Sequence, residues 1–352
     1  MNAPPRALPL VSIVLPAYNE SGVLEENIGQ VLEELRPLEA RYRFEVLIVN
    51  DGSRDDTGRI ADALAARHPQ IRVLHHPRNL GLGCAFRTAF AASRGDYVVT
   101  LDVDLSYSPD HIGRLLEAIE RTGAKLVLAA PYMPGGQHTN VPWLRRTLSI
   151  WGNRFLGMFA RGGLATLTCM VRAHDGPFVR ALVLRSMGME IMPEVIYKTM
   201  LLRGSIEQIP AHLDWTKQVA GGPPKRSSSM RIMGHILSTV ISGFIFRPFM
   251  FLILPGLLTL GFAAYVGFWM LSHLLEAFAG LSPDTPGGRA TAALALAYQA
   301  FPHTYVIGFL SALLGVLLIG LGMLALQAKN YYEEGFYLQM SIRDEITKLR
   351  RD

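Results

Sequence analysis

Residues 248–275 and 290–328 contain no Asp, Glu, Lys or Arg, and this constrains the chain more than any other feature. A bilayer core about 30 Å thick is crossed by about 20 apolar helical residues. Each stretch therefore holds a full span, expected at about 249–272 and 304–326. Water-soluble helices rarely stay apolar on every face over such lengths. The composition agrees: 50% of residues are hydrophobic and 18% charged, and the mean hydropathy is +0.23. The segment 276–303 between the spans carries one cation, Arg289, whereas the tail after Ala328 carries Lys329, Arg343, Lys348, Arg350 and Arg351. Positive charge stays on the cytoplasmic side. Both termini, and with them the large N-terminal part, are expected in the cytoplasm, on a multi-pass protein of the cell membrane.

With 352 residues and about 150 residues per domain, a soluble domain precedes the spans. Its first part alternates short β-branched runs with helical stretches, the pattern of βαβ units around a mainly parallel sheet. Strands are expected at Val11–Leu15, Phe44–Val49, Ile71–His75, Tyr97–Leu101 and Leu126–Ala130. Helices are expected near 21–40, 57–67, 83–93 and 110–122. Asp55 and Thr57 suit the start of the second helix, and Pro69 lies just past its end. The prolines at 4, 5, 9 and 16 exclude a signal peptide in the first apolar run. Cys84 and Cys169 have no partners at metal-ligand spacing, so neither a disulfide framework nor a zinc site is expected.

The formal net charge of +5 is too dispersed for a nucleic-acid stripe. It is locally concentrated in two places. The stripe Leu144, Leu148, Trp151, Phe155 and Phe159 is flanked by Arg145, Arg146, Arg154 and Arg161, fitting equally a helix on a membrane surface and a core helix with a solvated basic face. Between Pro210 and Arg247 the only acid is Asp214, and Gly221-Gly222-Pro223-Pro224 interrupts regular structure. This basic loop, with Lys217, Lys225 and Arg226, leads into an amphipathic segment, 231–247, expected to lie in the membrane interface.

Asp102-Val103-Asp104 follows the fourth expected strand. A chain this long holds about one Asp-x-Asp by chance, so its position is what matters. Open α/β sheets bind ligands beyond the carboxyl ends of their strands, where two carboxylates suit a divalent cation and a diphosphate. Pro16-Ala17-Tyr18-Asn19-Glu20, Asn50-Asp51-Gly52-Ser53 and Arg78-Asn79-Leu80-Gly81-Leu82-Gly83 follow strands one to three. Tyr18 and Asp51 offer a stacking face and an acceptor for a nucleobase and ribose. Taken singly, each segment also suits an ordinary βα turn. Gly81-x-Gly83 is not in the first βα turn and Phe86 stands at the third glycine position, which excludes a dinucleotide fingerprint.

PAYNE, NDGS-x-D-x-T, N-x-G-x-G and DVD, in this order and spacing, resemble glycosyltransferase family 2. With two C-terminal spans, the chain resembles that family's polyprenyl-phosphate glycosyltransferases. The resemblance implies an α/β class: a Rossmann-like GT-A catalytic domain over residues 1–230, an interfacial helix at 231–247, a transmembrane hairpin at 248–328 and a cytoplasmic tail at 329–352. It implies a nucleotide-sugar donor, Mg²⁺ or Mn²⁺, and inverting transfer to polyprenyl phosphate at the bilayer, leaving room for a homo-oligomer and none for nucleic acid. The donor residues implied are Pro16, Tyr18, Glu20, Asp51, Asn79, Gly81 and Asp102. Asp102 and Asp104 are the implied metal ligands, and Asp104 and Arg145 the implied catalytic residues. Arg145, Ser149, Lys217, Lys225 and Arg226 are the implied acceptor-phosphate contacts.

The chain departs from the family pattern at four places. Asn50 precedes Asp51 where two acids are common, and Ser106 stands where a Gln often follows the Asp-x-Asp. Ala129-Ala130-Pro131-Tyr132 replaces a Gly-Ser-Arg-Tyr segment, and Cys169-Met170-Val171-Arg172 a Ser-Gly-Phe-Arg segment. Two other readings remain open from sequence: transfer to a glycolipid or polysaccharide hydroxyl, and an inactive membrane partner that binds nucleotide or lipid.

Overall fold

The structure is a computed structural model that describes residues 7–143, 146–147, 150, 164–216, 250–283, 285–286 and 288–349. The chain divides into two compact units, residues 1–243 and 244–352. The two amphipathic segments lie almost wholly outside the described residues, as do Arg145, Ser149, Lys217, Lys225 and Arg226.

The first unit is built on a seven-stranded sheet. Its strands are β1 (Leu10–Ala17), β2 (Arg43–Asn50), β3 (Ile71–His75), β4 (Tyr97–Thr100), β5 (Leu126–Ala130), β7 (Arg172–Asp175) and β8 (Ile206–Pro210). The order is β3-β2-β1-β4-β7-β5-β8. All neighbours run parallel except β7, which is antiparallel to both β4 and β5. β6 (Gln137–Thr139) and β9 (His212–Asp214) pair apart from this sheet. Strand β5 is buried throughout and β1 nearly so, as expected where helices cover both faces of a parallel sheet.

The helices are α1 (Leu24–Leu35), α2 (Thr57–Arg67), α3 (Leu82–Ala92), α4 (His111–Thr122), α5 (Gly176–Ala181) and α6 (Ile191–Leu201). Ile112, Leu115, Leu116 and Ile119 bury one face of α4, and Gly123 ends it in the left-handed region at φ 64°. α2 starts as its sequence suggests: Asp55 Oδ1 accepts from the Thr57 amide at 3.1 Å. The expected helix over 21–40 is shorter. α1 stops at Leu35 and residues 36–40 form a 3₁₀ turn with Pro37 in its first positions, because a proline there cannot donate to the preceding turn. Strands β6, β8 and β9 were not foreseen, and neither was β7. Its sequence, Arg-Ala-His-Asp, lacks a β-branched run, and burial between two strands overrides that weak propensity.

The second unit contains α7 (Met250–Ala279), α8 (Arg289–Ala300) and α9 (Pro302–Leu349). α7 and α9 include two helices long and apolar enough to cross a membrane. Large apolar side chains point outward along them, including Leu258 at 69% exposure and Phe309 at 67%. α9 runs 48 residues, about 72 Å at 1.5 Å per residue, and so extends beyond the membrane span expected at 304–326. The two helices meet through glycines. A Cβ on Gly308, Gly315 or Gly322 would lie 2.8 Å from Met270 Sδ, 2.7 Å from Leu260 Cγ and 2.5 Å from Ile253 Cγ1 respectively. Small residues permit this close approach where lipid supplies no hydrophobic drive between helices. Arg289 closes the end of α7: its Nε donates to Phe278 O at 3.0 Å and its guanidinium lies 4.3 Å from the Phe278 ring centroid.

Candidate active site

The chain passes from β1 outward to β2 and β3, then returns to place β4 on the other side of β1. This reversal makes a switch point between the carboxyl ends of β1 and β4, where such sheets receive ligands. Tyr18, Asn19 and Glu20 leave β1 there, and Asp102 and Asp104 leave β4.

Backbone-directed hydrogen bonds stitch the first three loops together. Asn19, at φ 57°, donates its amide to Ser53 Oγ at 3.0 Å and accepts from the Arg54 amide through Oδ1 at 2.8 Å. The Glu20 amide reaches Thr57 Oγ1 at 2.8 Å. Pro16, Tyr18 and Glu20 are half-buried at this edge and Asn79 is exposed.

Asp51 lies just past the end of β2 and is deeply buried. It is 4% exposed, and Leu80 N–H, Gly81 N–H and His76 Nδ1 approach its carboxylate at 2.9, 2.9 and 2.7 Å. An ionised carboxylate only accepts, so His76 donates from Nδ1 and turns Nε2 to the Thr88 hydroxyl at 2.9 Å. Asp51 thus holds the 76–81 loop against the end of β2. The glycines of that loop answer to protein contacts: a Cβ on Gly81 or Gly83 would stand 2.4 Å from the carbonyl of Met187 or Ser186. Gly81 also has φ 93°, a conformation costly for other residues.

The aspartate pair occupies a tight turn. Val103 is buried between two half-buried acids, so the core holds the middle of the motif and leaves its flanks at the rim. Leu105 adopts φ 48°, its amide donates to Asp102 O at 3.2 Å, and the Ser106 amide donates to Asp104 Oδ1 at 3.0 Å. Ser106, standing where the resemblance expects Gln, is buried. β9 covers the following residues: Asp214 N–H donates to Ser106 O at 2.9 Å, and His212 N–H to His111 Nε2 at 3.1 Å. Nδ1 of the fully buried His111 therefore carries the proton and donates to Ser108 O at 2.8 Å.

Burial pushes the Tyr107 phenol well above its usual range and the neighbouring Cys169 thiol up to about 11. Both stay neutral. Arg172 is 1% exposed and donates to the carbonyls of Cys169, Met192 and Leu167 at 2.6, 2.8 and 2.8 Å. Burial lowers it to about 10, so it remains a cation at neutral pH, committed to tying the 167–171 segment to the start of α6. Glu194 has a comparable task. Burial alone would raise its pKa, but hydrogen bonds from Lys198, Ser186 and Arg185 outweigh that and hold it below the usual carboxylate range.

Among the described residues no cluster of three or more His, Cys, Asp or Glu stands ready to hold a metal. Two carboxylates at a strand end nevertheless suit a hard cation such as Mg²⁺ or Mn²⁺ when substrate phosphates complete the shell. The donor set fits that arrangement and not a self-sufficient protein cage.

Residues 12–178 match Glycosyl transferase family 2. The chain is 32% identical over 206 residues to the undecaprenyl-phosphate mannosyltransferase of Micrococcus luteus, covering 57% of this chain and 82% of the relative. It is 34% identical over 166 residues to the polyprenol monophosphomannose synthase of Mycolicibacterium smegmatis, covering 46% of this chain and 60% of the relative. An undecaprenyl-phosphate 4-deoxy-4-formamido-L-arabinose transferase of Pseudomonas fluorescens is 39% identical over 118 residues, 33% of this chain and 34% of that protein. A mainly parallel GT-A sheet carrying Asp102 and Asp104 at its switch point, together with these matches, makes the chain a member of glycosyl transferase family 2.

Proposed function

We propose that the protein transfers a sugar from a nucleotide-sugar to a polyprenyl phosphate, with inversion, at the cytoplasmic face of the membrane. The observation that carries this is the aspartate pair at the β1/β4 switch point of a chain that also has two membrane-length helices. The names of the relatives point the same way, two as mannosyl transferases and one as a formamido-arabinose transferase.

The acceptor's chemistry matches the inventory. A lipid phosphate is already an anion at neutral pH and needs no general base, unlike a sugar hydroxyl. Its oxygen attacks the anomeric carbon as the bond to the nucleoside diphosphate breaks, and the electron pair leaves with the diphosphate. The difficulty is to bring two anions together. Asp102 and Asp104 would hold Mg²⁺ or Mn²⁺, which when bound supplies charge neutralisation at the leaving diphosphate. Pro16, Tyr18, Glu20, Asp51, Asn79, Gly81 and Asp102 are assigned to the donor side, Asp51 also holding the 76–81 loop. Arg145, Ser149, Lys217, Lys225 and Arg226 are assigned to the acceptor phosphate. The domain boundaries proposed are residues 1–230, 231–247, 248–328 and 329–352.

The test is a donor panel of GDP-mannose, UDP-glucose and UDP-N-acetylglucosamine with undecaprenyl or dolichyl phosphate in detergent. One donor should give a lipid-linked sugar of inverted anomeric configuration by NMR, and EDTA should stop its formation. Retained configuration, or undiminished activity in EDTA, would contradict the mechanism.

A further inference from the structure

We infer that Asn27 is a positioning residue for the aspartate pair, holding Asp102 and Asp104 in register for the cation assigned to them under the proposed function. Asn27 lies in the second turn of α1, is 3% exposed, and donates its side-chain amide from Nδ2 to Val103 O at 2.7 Å. That carbonyl belongs to the residue between the two acids. Leu105 N–H to Asp102 O and Ser106 N–H to Asp104 Oδ1 fix the turn's shape. Its two ends are held by Leu101 N–H to Val14 O of β1 and Asp214 N–H of β9 to Ser106 O.

At the centre of the motif, between the two acids, Val103 has two anchors that act differently. Its side chain, 4% exposed, joins the core cluster that also contains Leu24 and Ile28 of α1. Such packing tolerates small rotations of the backbone. The Asn27 bond is directional and fixes the plane of the peptide whose neighbours carry the carboxylates. A two-carboxylate site needs this, because no third protein ligand among the described residues restrains the geometry. α1 also starts directly after the Tyr18–Glu20 loop. One short helix therefore joins the donor loop of β1 to the acids of β4. Supporting groups of this kind alter metal affinity about 10- to 100-fold when removed.

The experiment uses the full chain in detergent and reads Mn²⁺ binding by electron paramagnetic resonance, with Mn²⁺ alone and with GDP or UDP present. Asn27→Leu removes the donor at nearly constant volume, and Asn27→Ala removes it with loss of volume. Val31→Ala, on the same helix at a fully buried site, loses packing but leaves the bond intact. The Asn27 variants should bind Mn²⁺ at least about tenfold more weakly per folded molecule. Val31→Ala should lower the thermal midpoint while keeping wild-type Mn²⁺ affinity. Wild-type affinity in a folded Asn27 variant, or equal weakening in Val31→Ala, would overturn the assignment. Failure of the wild-type chain to bind Mn²⁺ at all would instead overturn the metal reading on which it rests.

Discussion

Asp51, Asp104 and His174 show how burial sorts polar residues into different duties. Asp51 accepts three hydrogen bonds from one loop, whereas Asp104, half-buried at the rim, accepts an amide from its own turn. The motif alone could not separate these roles, because both acids follow strands with the same spacing logic. Asn27 was invisible for another reason: inside a helix its sequence neighbours say nothing about a carbonyl on β4's loop. His174 is the residue with the clearest pH consequence. It is 2% exposed, and burial first, then the nearby Arg172 charge, lowers its pKa from 6.5 to about 3. The unfolded chain therefore binds a proton below pH 6.5 that the folded chain refuses. This stability is fully present above pH 6.5 and is lost as pH falls toward 3, at no more than about 1.4 kcal/mol per pH unit. His174→Gln should flatten the fall in thermal midpoint between pH 7 and pH 5. Unchanged steepness would show that other groups govern acid sensitivity.

At the level of elements, β1 to β5 and the first four helices were readable because hydrophobic period and turn residues agree there. β6 to β9 were not; the burial of β7 comes from neighbours and not from its own composition. α9 continues past the expected span because charges after Ala328 can end a membrane span without ending a helix; Lys329 and Glu333, 3.5 Å apart at i and i+4, support its continuation. The contact between α7 and α9 gives a sharp test. Gly315→Leu would drive a side chain into Leu260, whereas a Cβ on Gly320 meets nothing within 4 Å. Overpacking costs about 1–3 kcal/mol, so Gly315→Leu should lower the thermal midpoint in detergent and Gly320→Leu should leave it near wild type. Equal effects would mean that α9 meets α7 through another face.

For the whole molecule, one chain carries a GT-A domain and two membrane-length helices, and the proposed acceptor is a lipid phosphate. The proposed topology rests on one cation in 276–303 against five after Ala328. With Cys84 and Cys169 replaced by Ser, Ser282→Cys should react with an impermeant thiol reagent in intact cells; labelling only after permeabilisation would reverse the orientation. The most direct test of the central claim compares acceptors. The purified chain, given its donor and Mg²⁺, should glycosylate polyprenyl phosphate but not the matching polyprenol, and Asp104→Asn should lower that turnover at least about 100-fold while folding normally. Sugar transferred to the polyprenol hydroxyl, or near-normal turnover in Asp104→Asn at saturating Mg²⁺, would contradict the account.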